Sequence, residues 1–272
     1  MSSKSKDRKK IVISTPRVTA TAKALRILDC FTHTRPKLSL AELSRLLDMP
    51  KSTLLNQIRT LEDAGFLIKE DSNQYRLGYK LMELSYAAQI ATPVAQIAIP
   101  IMEDLNETTG ETIYLTSHIN GLVFYLECVY SSRRSMSYSV CGKTLPMHCT
   151  GVGKAMLSHM PEKMVDRIIA EHGLPRFTPN TITNIHDLKQ ELKLSRQRGY
   201  ALDNEEETVG VKCIAMSIRN PKGDVAGAMS ISGTAISMKP DLIEEYADLL
   251  SHAVHALMPH TPMFPAISLG QI

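Results

Sequence analysis

The chain has 272 residues, 43% of them hydrophobic and 22% charged, with a formal net charge of +3. That length fits a small module joined to a larger one, and the composition excludes collagen, coiled coil and wholesale disorder. No apolar run reaches the ~18 residues of a membrane span, and five cysteines without a CxxC pair point to reduced thiols in the cytoplasm rather than a disulfide framework.

The small net charge hides an asymmetry. Residues 1–80 hold 16 Lys/Arg against 8 Asp/Glu, a net of +8, and the remainder 15 against 20, a net of −5. A polyanionic partner is therefore expected for the first module only. Residues 1–15, with Lys4, Lys6, Arg8, Lys9 and Lys10, have no apolar stretch behind them. They are no secretory signal and are expected to be a disordered basic arm.

From Val18 to Phe31 the apolar residues Ala24, Leu25, Leu28 and Phe31 fall at helical spacing. Thr32–Lys37 contains Pro36 and reads as a break. Ser39 then caps a helix, with Glu42 three residues on completing a capping box. Leu40, Leu43 and Leu47 form its stripe, and Asp48-Met49-Pro50 ends it. Pro50 suits the first position of another helix, in which Leu54, Ile58 and Leu61 are the buried face and Gly65 the stop. Phe66–Glu70 and Gln74–Leu77 are strand-like around Asp71-Ser72-Asn73. Helix, helix, tight turn, helix, hairpin is the order of a winged helix-turn-helix, expected over residues 16–78.

In that arrangement the second helix of the pair enters the major groove with its N-terminal end. Lys51 and the first amides there suit phosphate. Ser52 and Thr53 suit phosphate or a base edge, and Asn56 and Gln57 suit adenine. Leu55 suits a thymine methyl group. Arg59 completes the polar faces, Lys69 and Arg76 are expected wing contacts, and Ser39 counts among the DNA contacts as well as the caps. Two short amphipathic helices also occur in proteins that never touch DNA, and Ser52 and Thr53 also suit a cap.

Tyr79 to about Ile97 reads as a linker helix (79–97) with a break near Pro93. The larger domain follows over 98–260, and a flexible tail over 261–272. A further helix runs up to Gly110. Asn120-Gly121 between Thr112–His118 and Leu122–Val129 marks a hairpin, and Met136–Val140 is another strand. Gly151–His159 and Pro161–His172 are helical, and a helix capped by Asn184 stops at Gly199. Val211–Ile218 and Val225–Ser232 flank the turn Asn220-Pro221-Lys222-Gly223, and Asp241–Leu257 is a last amphipathic helix. Hairpins mixed with helices imply an α+β domain with an antiparallel sheet.

Three runs carry a resemblance. They are Leu40-Ala41-Glu42-Leu43 with Met49-Pro50-Lys51-Ser52-Thr53 and Leu61-Glu62-Asp63-Ala64-Gly65-Phe66-Leu67; then Leu145-Pro146-Met147-His148-Cys149-Thr150-Gly151-Val152-Gly153-Lys154-Ala155; then Gly199 to Glu206 with Gly210 to Ala215. Together with Tyr75 to Gly78, Gly110 to Thr112 and Ser230 to Gly233, they resemble the isocitrate lyase regulator (IclR) family over residues 18–258. The resemblance implies a metabolite-responsive DNA-binding regulator, more often a repressor. It implies a palindromic operator bound by a homodimer or homotetramer, and a GAF-like effector domain for a carboxylate or sugar-acid-like metabolite. It places effector contacts at Gly151, Val152, Asp203, Cys213, Ser230 and Ser232. The family often has Arg where Asn56 stands and a polar residue where Leu55 stands, so operator preference is expected to differ.

The residues themselves agree in part. Thr150-Gly151-Val152-Gly153 precedes an apolar helical run, offering amides to an anion, and Ser230 and Ser232 share one face of a strand. Yet Gly151 and Gly153 also suit helix–sheet packing, Cys213 a small buried hydrophobe, and Ser232 a bond to backbone. No GxSxG, Walker or HExxH signature is present, so no enzyme, cofactor or metal is expected. The acidic run Asp203–Glu207 reads as solvated charge. The rival readings are an enzyme with a DNA-binding head, a redox sensor built on Cys141, Cys149 and Cys213, and a larger domain that only oligomerises.

Overall fold

The computed structural model describes residues 18–32, 34–91, 93–132 and 140–264. The basic arm expected at 1–15, and the strand expected at Met136–Val140 apart from its last residue, lie outside the described residues. The chain divides into two compact units, Met1–Ala91 and Thr92–Ile272.

The first unit runs α1 (Thr19–Leu28), β1 (Lys37–Ser39), α2 (Leu40–Leu47), α3 (Lys51–Asp63), β2 (Leu67–Lys69), β3 (Gln74–Leu77) and α4 (Lys80–Ile90). The capping box that opens α2 is formed: Ser39 Oγ accepts the Glu42 amide, and the Glu42 carboxylate accepts the Ser39 amide at 2.8 Å. Such a cap is worth ~1 kcal/mol. Asp48 then turns the chain with a left-handed φ of 52°. Pro50 is the N-cap of α3 rather than its first helical residue, because its ψ of 139° is extended. Ile27, Leu43, Leu47, Leu54, Ile58 and Leu61 pack into one core with Leu38 and Tyr75.

The segment read as a break contains β1. The small sheet has the order β1-β3-β2, with Leu38 opposite Tyr75. Pro36 stands just before this strand on the sheet's edge, where a missing N–H is tolerated. The linker expected over 79–97 does break near Pro93, but its second part belongs to a longer helix. α4 ends at Ile90, and Pro93 opens α5 (Pro93–Thr109), since the fixed φ of proline suits a helix's first turn.

In the second unit α5 is followed by β4 (Thr112–Ile119), β5 (Leu122–Val129), β6 (Thr144–Pro146), α6 (Gly151–Leu157), α7 (Glu162–His172), α8 (Ile185–Arg198), β7 (Ala201–Asn204), β8 (Val211–Arg219), β9 (Val225–Thr234) and α9 (Ile243–Leu257). The strands form one antiparallel sheet of order β6-β5-β4-β9-β8-β7. Asn120 and Gly121 take φ values of 50° and 74°, the primed turn that Asn-Gly supplies. Period-two alternation divides the sheet's faces. Ile113, Leu115, Ile214, Ile218, Met229 and Ile231 pack against α5 and α9. Tyr125, Ala201, Ala215 and Ala228 face α6, α7 and α8.

The flexible tail expected from residue 261 is corrected for its first residues. Met258–Met263 form a 3-10 turn, Thr261 is buried, and Phe264 packs into the α5–α9 core. Among the described residues no single helix is long and apolar enough to cross a membrane.

Candidate nucleic-acid interface and effector site

Burial of Leu54, Ile58 and Leu61 fixes how α3 is rotated. Ser52, Asn56 and Arg59, at i, i+4 and i+7, are all exposed. Lys51 and Thr53 are exposed beside them, and Leu55 and Gln57 are half-buried at the margins. Neither Lys51 nor Arg59 is held in an ion pair with another described residue. The first turn of α3 thus presents a cation, two hydroxyls and free amides, and its next turn an amide side chain and a guanidinium. That chemistry suits a phosphate backbone with base edges between.

The other three expected DNA contacts lie off α3, Ser39 before α2 and Lys69 and Arg76 on the wing as expected. Ser39 sits in the capping box of α2, its hydroxyl donating to Glu42 at 2.7 Å. Lys69 is exposed on the wing. Arg76 is committed within the fold: its Nε lies 3.2 Å from Glu70, its Nη1 donates to the Leu77 carbonyl at 3.2 Å, and its guanidinium stacks 5.3 Å from the Tyr79 ring centroid. Glu70 also takes Lys37 at 2.6 Å, and that ammonium holds its carboxyl below the usual range.

In the second unit four expected effector residues come together through strand register. Asp203 stands opposite Cys213, and Cys213 opposite Ser232, making a row of polar side chains across β7, β8 and β9. Ser230 lies on the same face, between Ala215 and Tyr114. All four are buried, and neither serine hydroxyl bonds another described residue. Burial pushes the Asp203 carboxyl up to about 7, against the opposing effect of the Glu206 amide that it accepts at 2.8 Å.

The glycines serve the helix–sheet packing that their positions also suit. A β-carbon on Gly151 would meet Cys213 Sγ at 2.5 Å, and one on Gly153 would meet the Met147 carbonyl oxygen at 2.2 Å. Both let α6 lie directly on its neighbours. The Gly153 amide is already taken by Thr150 Oγ1 at 3.2 Å, so of the amides offered to an anion this one is engaged. Val152 is buried in the core beneath α6. The helix ends at Leu157 rather than His159. Burial raises both the Cys149 and Cys213 thiols far above their usual range. A buried thiol of that kind is inert, which speaks against these two as redox sensors.

The acidic run is not simply solvated. Asp203 and Glu206 are buried, and Glu206 pairs with the equally buried Lys154 of α6. The Thr178 hydroxyl donates to the Glu205 carbonyl and the Thr181 hydroxyl to the Glu206 carbonyl, each at 2.7 Å. Tyr114 and Tyr125 meet edge to face, ring centroids 5.3 Å apart, with Tyr114 opposite Ser230. Sequence reasoning passed over Lys154, Glu206, Thr178 and both tyrosines. Only the alternation of β4 and β5 signalled the tyrosines, and nothing local signalled a pair 52 residues apart. A cleft of about 350 Å³ between the Asn120-Gly121 turn and α7 holds none of the expected effector residues.

Residues 20–71 match the family model described as IclR helix-turn-helix domain, and residues 87–258 the one described as Bacterial transcriptional regulator IclR C-terminal. The chain is 29% identical to the HTH-type transcriptional regulator XynR of Escherichia coli K12 over 243 residues, 89% of this chain and 96% of that one. It is 30% identical to the HTH-type transcriptional repressor AllR of the same strain, over 85% of this chain and 86% of that one. The fold is that of an IclR homolog from Microbacterium hydrocarbonoxydans solved in complex with 4-hydroxybenzoate (22% identity, TM-score 0.74, covering 90% of this chain and 99% of that one).

Proposed function

This chain belongs to the IclR family of transcriptional regulators, and from that premise we propose that it is a metabolite-controlled repressor binding a palindromic operator as a homodimer or homotetramer. Its relatives are transcriptional regulators, not enzymes. The observation that carries the DNA-binding reading is the outward face of α3, where Lys51, Ser52, Asn56 and Arg59 are exposed together. Repression is supported by the similarity to a relative named as a repressor. A regulator of this kind works on the chromosome, in the cytoplasm.

Self-association is supported by α4, which buries none of its residues while exposing Met82, Leu84, Tyr86 and Ile90. A helix that is apolar on its exposed sides calls for a partner, and a second copy of α4 supplies one. Two-fold symmetry in the protein then calls for two-fold symmetry in the operator.

The effector reading rests on the buried row Asp203, Cys213, Ser232 with Ser230 beside it. Polar groups enclosed in this way suit a small polar ligand. A carboxylate or sugar-acid-like metabolite fits if it meets Asp203 in its protonated form, as a hydrogen-bond donor. The effector changes operator affinity only by binding one arrangement of the paired DNA-reading heads better than the other. Fluorescence anisotropy of labelled promoter DNA, at two salt concentrations and with and without small acids, tests both parts. Salt-insensitive or absent binding sinks the regulator. Affinity unmoved by any acid that binds the protein sinks the effector.

A further inference from the structure

The ion pair between Lys154 and Glu206 lies beside the polar row and has no part in the reading above. Their side chains are 1% and 7% exposed. Lys154 is three residues beyond Gly151 and so shares its face of α6, the face that rests on Cys213 and the Asp203 amide. Glu206 is fixed from every side. Its amide donates to Asp203 at 2.8 Å, the Thr181 hydroxyl holds its carbonyl at 2.7 Å, and the Thr178 hydroxyl holds the preceding carbonyl, of Glu205, at 2.7 Å. Its Oε1 takes the Lys154 ammonium and, at 3.4 Å, the Asn204 amide. Its Oε2 is buried and accepts no hydrogen bond.

A buried carboxylate oxygen without a donor is costly, more so than a neutral group. The chemistry around it narrows what donates. Lys154 already supplies a positive charge, and no cluster of three or more metal-ligating side chains occurs among the described residues, so a cation is disfavoured. An ionised carboxylate has no proton to give this oxygen. A neutral O–H is the group that fits. We propose that Glu206 Oε2 is a specificity-determining acceptor, taking a hydrogen bond from a hydroxyl of the effector while Lys154 holds the carboxylate in place. This rests on the effector reading and sharpens its ligand class, from small acids in general to hydroxy acids.

The test uses the full-length protein and calorimetric titration with acids paired by a single hydroxyl, glycolate against acetate, lactate against propionate and 4-hydroxybenzoate against benzoate, and with gluconate against hexanoate, which differ by five. The expected result is saturable binding of at least one hydroxy acid, at least tenfold tighter than its partner. Lys154→Met combined with Glu206→Leu removes both charges at once, an exchange that buried pairs often tolerate. In that variant the preference drops below threefold. If the double variant shows no cooperative melting transition, Glu206→Asp is read instead. It keeps the charge, withdraws the oxygen by one methylene, and is expected to lose the preference likewise. Equal affinity for both members in the wild type, or a preference surviving in the folded variant, overturns the proposal and leaves the effector site standing. Binding of no acid in the panel overturns the effector reading, and this proposal with it.

Discussion

Gly151 and Cys213 touch so closely that a β-carbon on the glycine would lie 2.5 Å from the cysteine sulfur. Helix α6 therefore rests on β8 with nothing but hydrogen between them. The neighbouring Gly153 is more tightly confined, its absent β-carbon falling 2.2 Å from the Met147 carbonyl oxygen. A thiol can swing aside, whereas backbone cannot. Gly151→Ala is expected to cost about 1 kcal/mol, and Gly153→Ala 3 kcal/mol or more, the range of overpacked cores being roughly 1–3 kcal/mol. Adding Cys213→Ala is expected to restore most of the loss at Gly151 and none at Gly153. Denaturant midpoints of the single and double variants decide it. Equal losses at both glycines would show that Cys213 does not yield.

Asp203 makes stability depend on pH in a defined direction. Its carboxyl sits at about 7 in the fold, against an ordinary value of 3.8. Between those values the native state holds a proton that the unfolded chain has released, so stability falls as pH rises from 4 to 7 and is level above. Burial is the main cause. The neighbouring Glu206 and Glu207 add to it, while the Glu206 amide and Lys154 oppose it. Asp203→Asn keeps an oxygen for that amide and cannot ionise. It is expected to be more stable than the wild type at pH 8, by about 4 kcal/mol at most, and to show no such gain at pH 4. A stability difference that does not vary with pH would mean Asp203 is ionised throughout. Anionic effectors should likewise bind the wild type more weakly as pH passes 7, and bind Asp203→Asn with no such fall.

The DNA-reading half was the more legible of the two. Ser39, Glu42, Leu54, Ile58 and Leu61 follow local rules of capping and helical period, and the structure obeys each of them. The three-residue strand β1 was missed because three residues carry no periodicity. Its pairing with β3 depends on Leu38 meeting Tyr75 far along the chain. In the larger domain the hairpins at Asn120-Gly121 and Asn220 to Gly223 were readable from turn chemistry. The row Asp203, Cys213, Ser232 was not, because each neighbour in it comes from strand register. Reading Asp203–Glu207 as solvated failed for the same reason: the partner that buries Glu206 lies on a helix 52 residues earlier.

On α3 the exposed residues are expected to divide by role. Asn56→Ala should lose about 1–3 kcal/mol on the preferred operator and little on a variant altered at the base pair it reads. Arg59→Ala should weaken binding evenly across sequences and reduce the salt slope by about one. Arg76 is already neutralised by Glu70, so Arg76→Ala should change the slope by less than half as much. Anisotropy titrations on an operator series at 50–200 mM salt separate the three. A uniform loss for Asn56→Ala would remove it from base reading.

The exposed apolar side of α4 predicts how the protein assembles. Met82 is 68% and Tyr86 67% exposed, and no residue of the helix is buried, so neither side chain contributes to the core of its own chain. Charging both, as Met82→Glu with Tyr86→Glu, should leave the melting transition of each unit cooperative while disrupting any contact between copies made there. Sedimentation velocity should then show a dimeric or tetrameric wild type and a smaller species for the variant. Operator affinity should fall with assembly, because a lone DNA-reading head loses the second half-site that two-fold binding supplies. A variant that keeps the wild-type mass would place the self-association elsewhere. One that changes mass yet holds the operator as tightly as before would break the link between assembly and DNA reading, since occupancy of a symmetric site by single heads gains nothing from its symmetry.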